Sequence, residues 1–163
     1  MTDFHSVYQS YAPQVRRFVL FLCGEAALAD DITSETFVRA WTGRGKIREA
    51  TVKAYLFTIA RNLYRDHLRR NRRSTELDES MPDSGPSLAS RTEHKAELEA
   101  VMAALRQLSE VDRAALLMRA QEEMSYEEIA DALELNVTTV KVKVHRARLK
   151  LMRVRELFQE VNS

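Results

Sequence analysis

Apolar residues recur at spacings of three and four along most of the chain, which is the period of an amphipathic helix and not of a strand. Phe4, Val7, Tyr8, Tyr11, Val15, Phe18, Val19 and Leu22 line one face of a first predicted helix. A second is predicted over Ala26–Trp41, with Ile32, Phe37, Ala40 and Trp41 inward and Asp30, Asp31 and Glu35 outward. Gly43 and Gly45 end it and open a loop that runs to Ala50. The third, from Val52 to about Arg70, should bury Tyr55, Leu56, Ile59, Ala60 and Leu63 and expose Arg61, Asn62, Tyr64, Arg65, Arg69 and Arg70. These three form a small helical bundle over residues 1–73.

Periodicity then lapses. Ser74–Thr92 holds two of the three prolines, many Ser and Asp, and little to bury, which is the composition of a linker. As a flexible coil such a segment has a typical end-to-end distance of about 24 Å. Helical spacing returns at Glu93, where Leu98, Val101, Met102, Leu105 and Leu108 form a seam. Ser109 caps the following helix with Asp112 near its N-terminus, and Ala115, Leu116 and the stem of Arg119 are expected inside. The expected fold class is therefore all-α, with two small helical domains, 1–73 and 93–163, joined by a flexible linker, 74–92.

The most specific local pattern is a helix-turn-helix within Ser109–Arg155. Ser125-Tyr126-Glu127-Glu128 has the form of a capping box, and Ile129, Ala130 and Leu133 mark the inner face of the short helix behind it. Glu134-Leu135-Asn136 makes the turn, with Leu135 pointing inward and Asn136 capping the next helix. There Val140, Val144, Ala147 and Leu151 form one buried stripe. Thr138, Thr139, Lys141, Lys143, Arg146, Arg148 and Lys150 stand on the other faces. Short hydroxyl residues at the start of a helix can approach base edges, while long cations behind them neutralise phosphates. Val142 either touches a thymine methyl or is an incidental exposed valine.

Charge sharpens this picture through its distribution. The net charge is only +1, yet Arg61–Arg73 carries six Arg against one Asp, and Lys141–Arg155 carries seven Lys or Arg and no acid. Two basic patches on an otherwise acidic chain fit two separate contacts with one polyanion. Around Arg61, Tyr64 and Asn62 mix with cations in the manner of a single-strand binding face. A solvated polar face with Tyr64 half buried is the equal alternative. His67 reads as a core-edge histidine and Trp41 as a core residue.

Composition narrows the class further. With 45% hydrophobic residues and four glycines, a folded helical protein is expected and an all-β one is not. The lone Cys23 lies in an apolar run, so it is expected as a buried thiol with neither disulfide nor zinc partners. No secretion signal or membrane-length apolar run is visible, so the expected location is the cytoplasm without membrane insertion. No nucleophile–base pair, metal cluster or phosphate loop stands out. The chain is read as non-enzymatic, with no cofactor, metal or small-molecule substrate.

Several stretches resemble a known family. Asp30-Asp31-Ile32-Thr33-Ser34-Glu35-Thr36-Phe37-Val38-Arg39-Ala40-Trp41 is similar to the signature helix of sigma region 2, and Tyr55 through Arg70 to the helix that follows it. Leu105–Leu108, Arg113, Ser125–Ala130 and Val140–Arg148 resemble sigma region 4. The pair, in this order, is similar to the extracytoplasmic-function group of the sigma-70 family. Tyr55 stands where Trp is usual, the loop before it lacks Phe-Arg-Gly, Ser109 replaces a Pro, Glu134 a Gly, and Val142 a small polar residue.

That resemblance implies a factor that binds core RNA polymerase, directs it to promoter DNA and helps open it. Asp30, Asp31, Glu35 and Arg39 would face the polymerase. Arg61, Asn62, Arg65, Arg69 and Arg70, with the loop Thr42–Ala50, would take an unstacked −10 strand. Thr138, Thr139, Lys141, Val142, Lys143 and Arg146 would read the −35 duplex. An anti-sigma factor is an implied further partner. The rivals are a dimeric helix-turn-helix regulator with a helical sensor domain, and a helical adaptor for acidic proteins. A regulator should bind a palindrome without polymerase, and an adaptor should show no salt-dependent DNA binding.

Overall fold

The computed structural model describes residues 3–43, 52–77 and 93–162, and among these it contains helices and no strand. By its internal contacts the chain divides into two compact units, Met1–Pro86 and Ser87–Ser163.

In the first unit, α1 (Phe4–Cys23), α2 (Ala26–Thr42) and α3 (Val52–Leu77) pack against one another in all three pairings. Val15, Phe18 and Val19 of α1 are wholly buried, as are Leu56, Phe57 and Ala60 of α3. The rings of Phe18 and Phe57 lie 4.8 Å apart at the centre of this core. Gly24 ends α1 in the left-handed region (φ 77°), its N–H reaching the Leu20 carbonyl at 2.7 Å, a conformation that costs glycine nothing. Within α2, the buried hydroxyls of Thr33 and Thr36 are satisfied by donating to the carbonyls of Ala29 (2.6 Å) and Ile32 (2.7 Å).

Five expectations change here. α3 packs on two helices at once, so its buried arc is wider than a single stripe and takes in Arg61 (3% exposed) and Tyr64 (6%). Tyr55 and Ile59 are only half-buried. Trp41 is 47% exposed and sits edge-on to Phe4, with ring centroids 4.7 Å apart, at the rim of the bundle where α2 ends. α3 also continues to Leu77, so residues 74–77 of the expected linker are helical, while the rest of that linker and Gly45 lie outside the described residues. Cys23 is half-buried, its Sγ 3.4 Å from the Glu25 carbonyl oxygen.

The second unit comprises α4 (Glu93–Gln107), α5 (Glu110–Leu116), α6 (Tyr126–Leu133) and α7 (Val137–Asn162), with α7 packed on each of the other three. Its core joins Leu105 and Leu108 to Ala114–Met118, Met124, Ile129, Leu133, Val140, Val144 and Ala147. Leu98 and Val101, expected in the seam, remain 45% and 40% exposed, because burial on α4 is concentrated in its C-terminal half. Arg113 fastens the α4–α5 corner: its buried guanidinium donates to the carbonyls of Leu105 (2.9 Å) and Leu108 (3.2 Å). These are carbonyls that a helix end would otherwise leave unsatisfied.

Beyond α5 the helix widens into a π-turn over Leu117–Gln121, closed by Glu122 N–H donating to the Leu117 carbonyl at 3.1 Å. Apolar spacing gave no sign of it. The turn carries Leu117 and Met118 into the core and leads to Glu123, whose φ of 57° turns the chain toward α6.

Candidate nucleic-acid interface

The helix-turn-helix is built by three local devices. Ser125 Oγ accepts from Glu128 N–H (3.1 Å) while Glu128 Oε1 accepts from Ser125 N–H (2.9 Å), so the expected capping box starts α6. Glu134 closes that helix in the left-handed conformation, φ 57° and ψ 46°, and Leu135 N–H donates back to the Ala130 carbonyl at 2.9 Å. Asn136 Oδ1 then accepts from Thr139 N–H at 2.8 Å, which caps α7 at the end that carries the threonines.

Once Val140, Val144 and Ala147 are fully buried, the rest of α7 is placed by its turn of about 100° per residue. Thr138, Val142, His145 and Leu149 form the stripe opposite the core; all four are exposed, Val142 at 55% and Leu149 at 53%. Lys141 stands along one edge, and Thr139, Lys143, Arg146 and Lys150 along the other.

Each edge is tethered. Lys141 Nζ lies 5.5 Å from the centroid of the Tyr126 ring, whose other close cation, Arg119, is 4.5 Å away and itself donates to the Met124 carbonyl at 3.0 Å. On the opposite edge the carboxylate of Asp112, 7% exposed, reaches Lys143 Nζ at 3.3 Å and Arg146 Nη2 at 3.6 Å. Lys143 is thereby drawn in, with 22% of its side chain exposed, whereas Arg146 keeps 52%. The expectation that Lys143 projects from the outer face is corrected: a buried carboxylate beside it competes successfully with water.

On the first unit Asn62, Arg65, Arg69 and Arg70 are exposed on α3, and Arg61 is not, so Arg61 leaves the predicted contact set. Arg69 pairs with Asp66. A groove of ≈ 340 Å³ between the end of α2 and the second half of α3 is lined by Arg39, Leu63, Asp66, Arg69, Arg70 and Arg73. Four guanidiniums against one carboxylate suit an anion.

Arg39, expected among the polymerase contacts, therefore stands beside the basic face, tied to Glu35 at 3.1 Å. Asp30 pairs with Arg16 across to α1 at 2.6 Å, and Asp31 is exposed. The expected strand-binding loop 42–50 is described only through Gly43, whose added Cβ would come within 2.7 Å of the Tyr55 hydroxyl. His67 is half-buried, its Nε2 3.1 Å from Asn71 Nδ2. Among the described residues no group of His, Cys, Asp and Glu could hold a metal ion, and no helix is long and apolar enough to cross a membrane.

Asp112, Tyr126, Arg119 and His145 are residues on or against the candidate face of α7 that sequence reasoning did not assign to it. A carboxylate near a helix start already has a local explanation, so nothing marked Asp112 as the partner of Lys143, 31 residues away, and of Arg146 one turn further on. His145 was legible from helical spacing alone.

A basic, doubly capped helix-turn-helix in one unit and an arginine-faced helical bundle in the other define a DNA-binding protein of two helical units. Its relatives say which kind. Residues 7–74 match the family model for sigma-70 region 2, and residues 98–151 that for sigma-70 region 4. The chain is 38% identical over 141 residues to the ECF RNA polymerase sigma factor EcfG of Rhodopseudomonas palustris strain TIE-1, covering 85% of this chain and 77% of that one. It is 27% identical over 147 residues to the ECF RNA polymerase sigma factor SigM of Bacillus subtilis strain 168, covering 89% and 90%. Among solved structures it is similar to the sigma factor RpoE of Bartonella quintana, determined in complex with the anti-sigma factor NepR. There the TM-score is 0.82 and the identity 25%, covering 96% of this chain and 98% of that chain. The chain belongs to the extracytoplasmic-function sigma factors of the sigma-70 family.

Proposed function

We propose that this sigma factor binds core RNA polymerase and gives it promoter specificity by a division of labour between its two units. The outer stripe and edges of α7, with Thr138, Thr139, Lys141, Val142 and Arg146, enter the major groove of the −35 element. Asn62 and Arg65, with Arg69 and Arg70 and the groove that the latter two share with Arg39 and Arg73, take the phosphates and bases of an opened −10 strand. Asp31 and its neighbours Asp30 and Glu35 face the polymerase. The observation that carries the reading is the geometry of α7: its core stripe is sealed, its start is capped by Asn136, and its exposed surface is hydroxyl, apolar and cationic without a carboxylate from Thr138 to Arg155. The relative crystallised with an anti-sigma factor supports a second partner of that kind, which would hold the factor inactive.

Run-off transcription with purified core polymerase on a genomic promoter library tests this. Discrete transcripts that need the added factor, sharing two upstream elements, are expected. Transcription no different from core alone would overturn the assignment, and binding to a palindrome without polymerase would replace it with a regulator.

A further inference from the structure

Cations on a recognition helix are useful for specificity only if they are aimed, and one buried carboxylate aims two of them here. Asp112 is 5% exposed, lies on α5 and is fixed at its own backbone, its N–H donating to Ser109 Oγ at 3.2 Å. Its two carboxylate oxygens divide between α7 side chains, Oδ1 facing Lys143 Nζ at 3.3 Å and Oδ2 facing Arg146 Nη2 at 3.6 Å. Lys143 and Arg146 are three apart, hence neighbours on one helix edge. One negative charge is thus shared by two positive ones.

We propose that Asp112 is a specificity-determining positioning residue for the duplex-reading face, an inference that rests on α7 being that face. It neutralises Lys143 and withdraws it from the phosphates. It also holds the half-exposed Arg146 at one orientation while leaving its remaining donors free for DNA. The duplex then meets fewer, better-placed charges. Sequence-independent attraction scales with the number of phosphates neutralised, whereas base reading depends on where donors point. Suppressing the first and fixing the second both raise the ratio of specific to non-specific binding.

The test uses the full chain assembled with core RNA polymerase. The probes are a duplex selected by that complex from a randomised library and a scrambled duplex of the same composition. Asp112→Asn keeps the shape and removes the charge. It is expected to tighten binding to the scrambled duplex, to steepen the salt dependence of log K by about one to two, as for one or two additional phosphate contacts, and to cut discrimination about tenfold, the scale of losing one well-aimed base contact. Lys143→Met is expected to leave the salt slope unchanged, because that lysine already has its counter-charge. A purely structural Asp112 would weaken both duplexes in proportion to the folded fraction, read by circular dichroism, with slope and discrimination intact, and that result overturns the proposal. A slope that falls by about 0.9 in Lys143→Met would overturn it too, since Lys143 would then be a phosphate contact. Thr138→Ala with Lys141→Ala is the separate control. If the selected duplex binds that variant as well as the parent, α7 does not read it, and the underlying assignment fails whatever Asp112 does.

Discussion

Glu134 shares with Glu123, among the described residues, a left-handed backbone that few non-glycine residues adopt. Its φ of 57° places a residue with a Cβ in the left-handed region, at the point where α6 must stop so that α7 can cross it. Non-glycine residues there are held at a cost of about 1–2 kcal/mol, partly offset by the greater unfolded-state freedom of glycine, about 0.5–1 kcal/mol. Glu134→Gly is therefore expected to stabilise the second unit by about 0.5–1 kcal/mol, raising its thermal midpoint by roughly 2–8 °C for a unit of this size. A midpoint that stays or falls in a circular-dichroism melt would mean that the exposed Glu134 side chain makes a compensating interaction. The need for that conformation was legible in the sequence only through the resemblance, in which Glu134 stands where Gly is usual. The outward position of Val142 was legible from helical spacing. What spacing could not supply is the inward pull on Lys143, which depends on a carboxylate from another helix.

At the scale of elements, the caps and the buried arginine do different work. Ser125 satisfies one orphan donor at the start of α6 and receives one bond in return, so Ser125→Ala is expected to cost about 1 kcal/mol in urea unfolding. Arg113 is more consequential. Replacing it by Met keeps much of its apolar stem but removes the donors that serve the Leu105 and Leu108 carbonyls, leaving buried acceptors with nothing to replace water. Arg113→Met is expected to destabilise the unit by about 3 kcal/mol, with bonds from a charged donor worth about 1.5–3 kcal/mol each. A urea midpoint shifted no more than that of Ser125→Ala would show that the corner is held by packing instead. Helix existence and order followed from apolar periodicity because each α-helix buries a stripe against its unit. The errors cluster where that assumption breaks. α3 faces two helices and so hides Arg61 and Tyr64. α4 is buried mainly in its C-terminal half, so Leu98 and Val101 stay exposed, and the π-turn after Leu116 shifts the register without any change in composition.

For the whole molecule, the decisive property is that two units with separate cores are carried on one chain. Each has its own basic surface, and on the proposed reading each takes a different element of the promoter. Joining them makes the second binding event intramolecular, at an effective concentration in the millimolar range for a short flexible connection. That gain needs no new contact, only continuity of the backbone. A protease site placed between residues 78 and 92 should therefore separate folding from function. After cleavage the far-ultraviolet circular dichroism is expected to be unchanged, because the helices of each unit pack among themselves. Factor-dependent transcription at micromolar concentration is expected to fall by about 10²–10⁴, the range over which linkage multiplies affinity. Adding the two fragments at millimolar concentration should restore it in part. Full activity of the cleaved factor at micromolar concentration would show that polymerase itself holds both units firmly in place. The connection would then serve synthesis and delivery, with no part in promoter recognition.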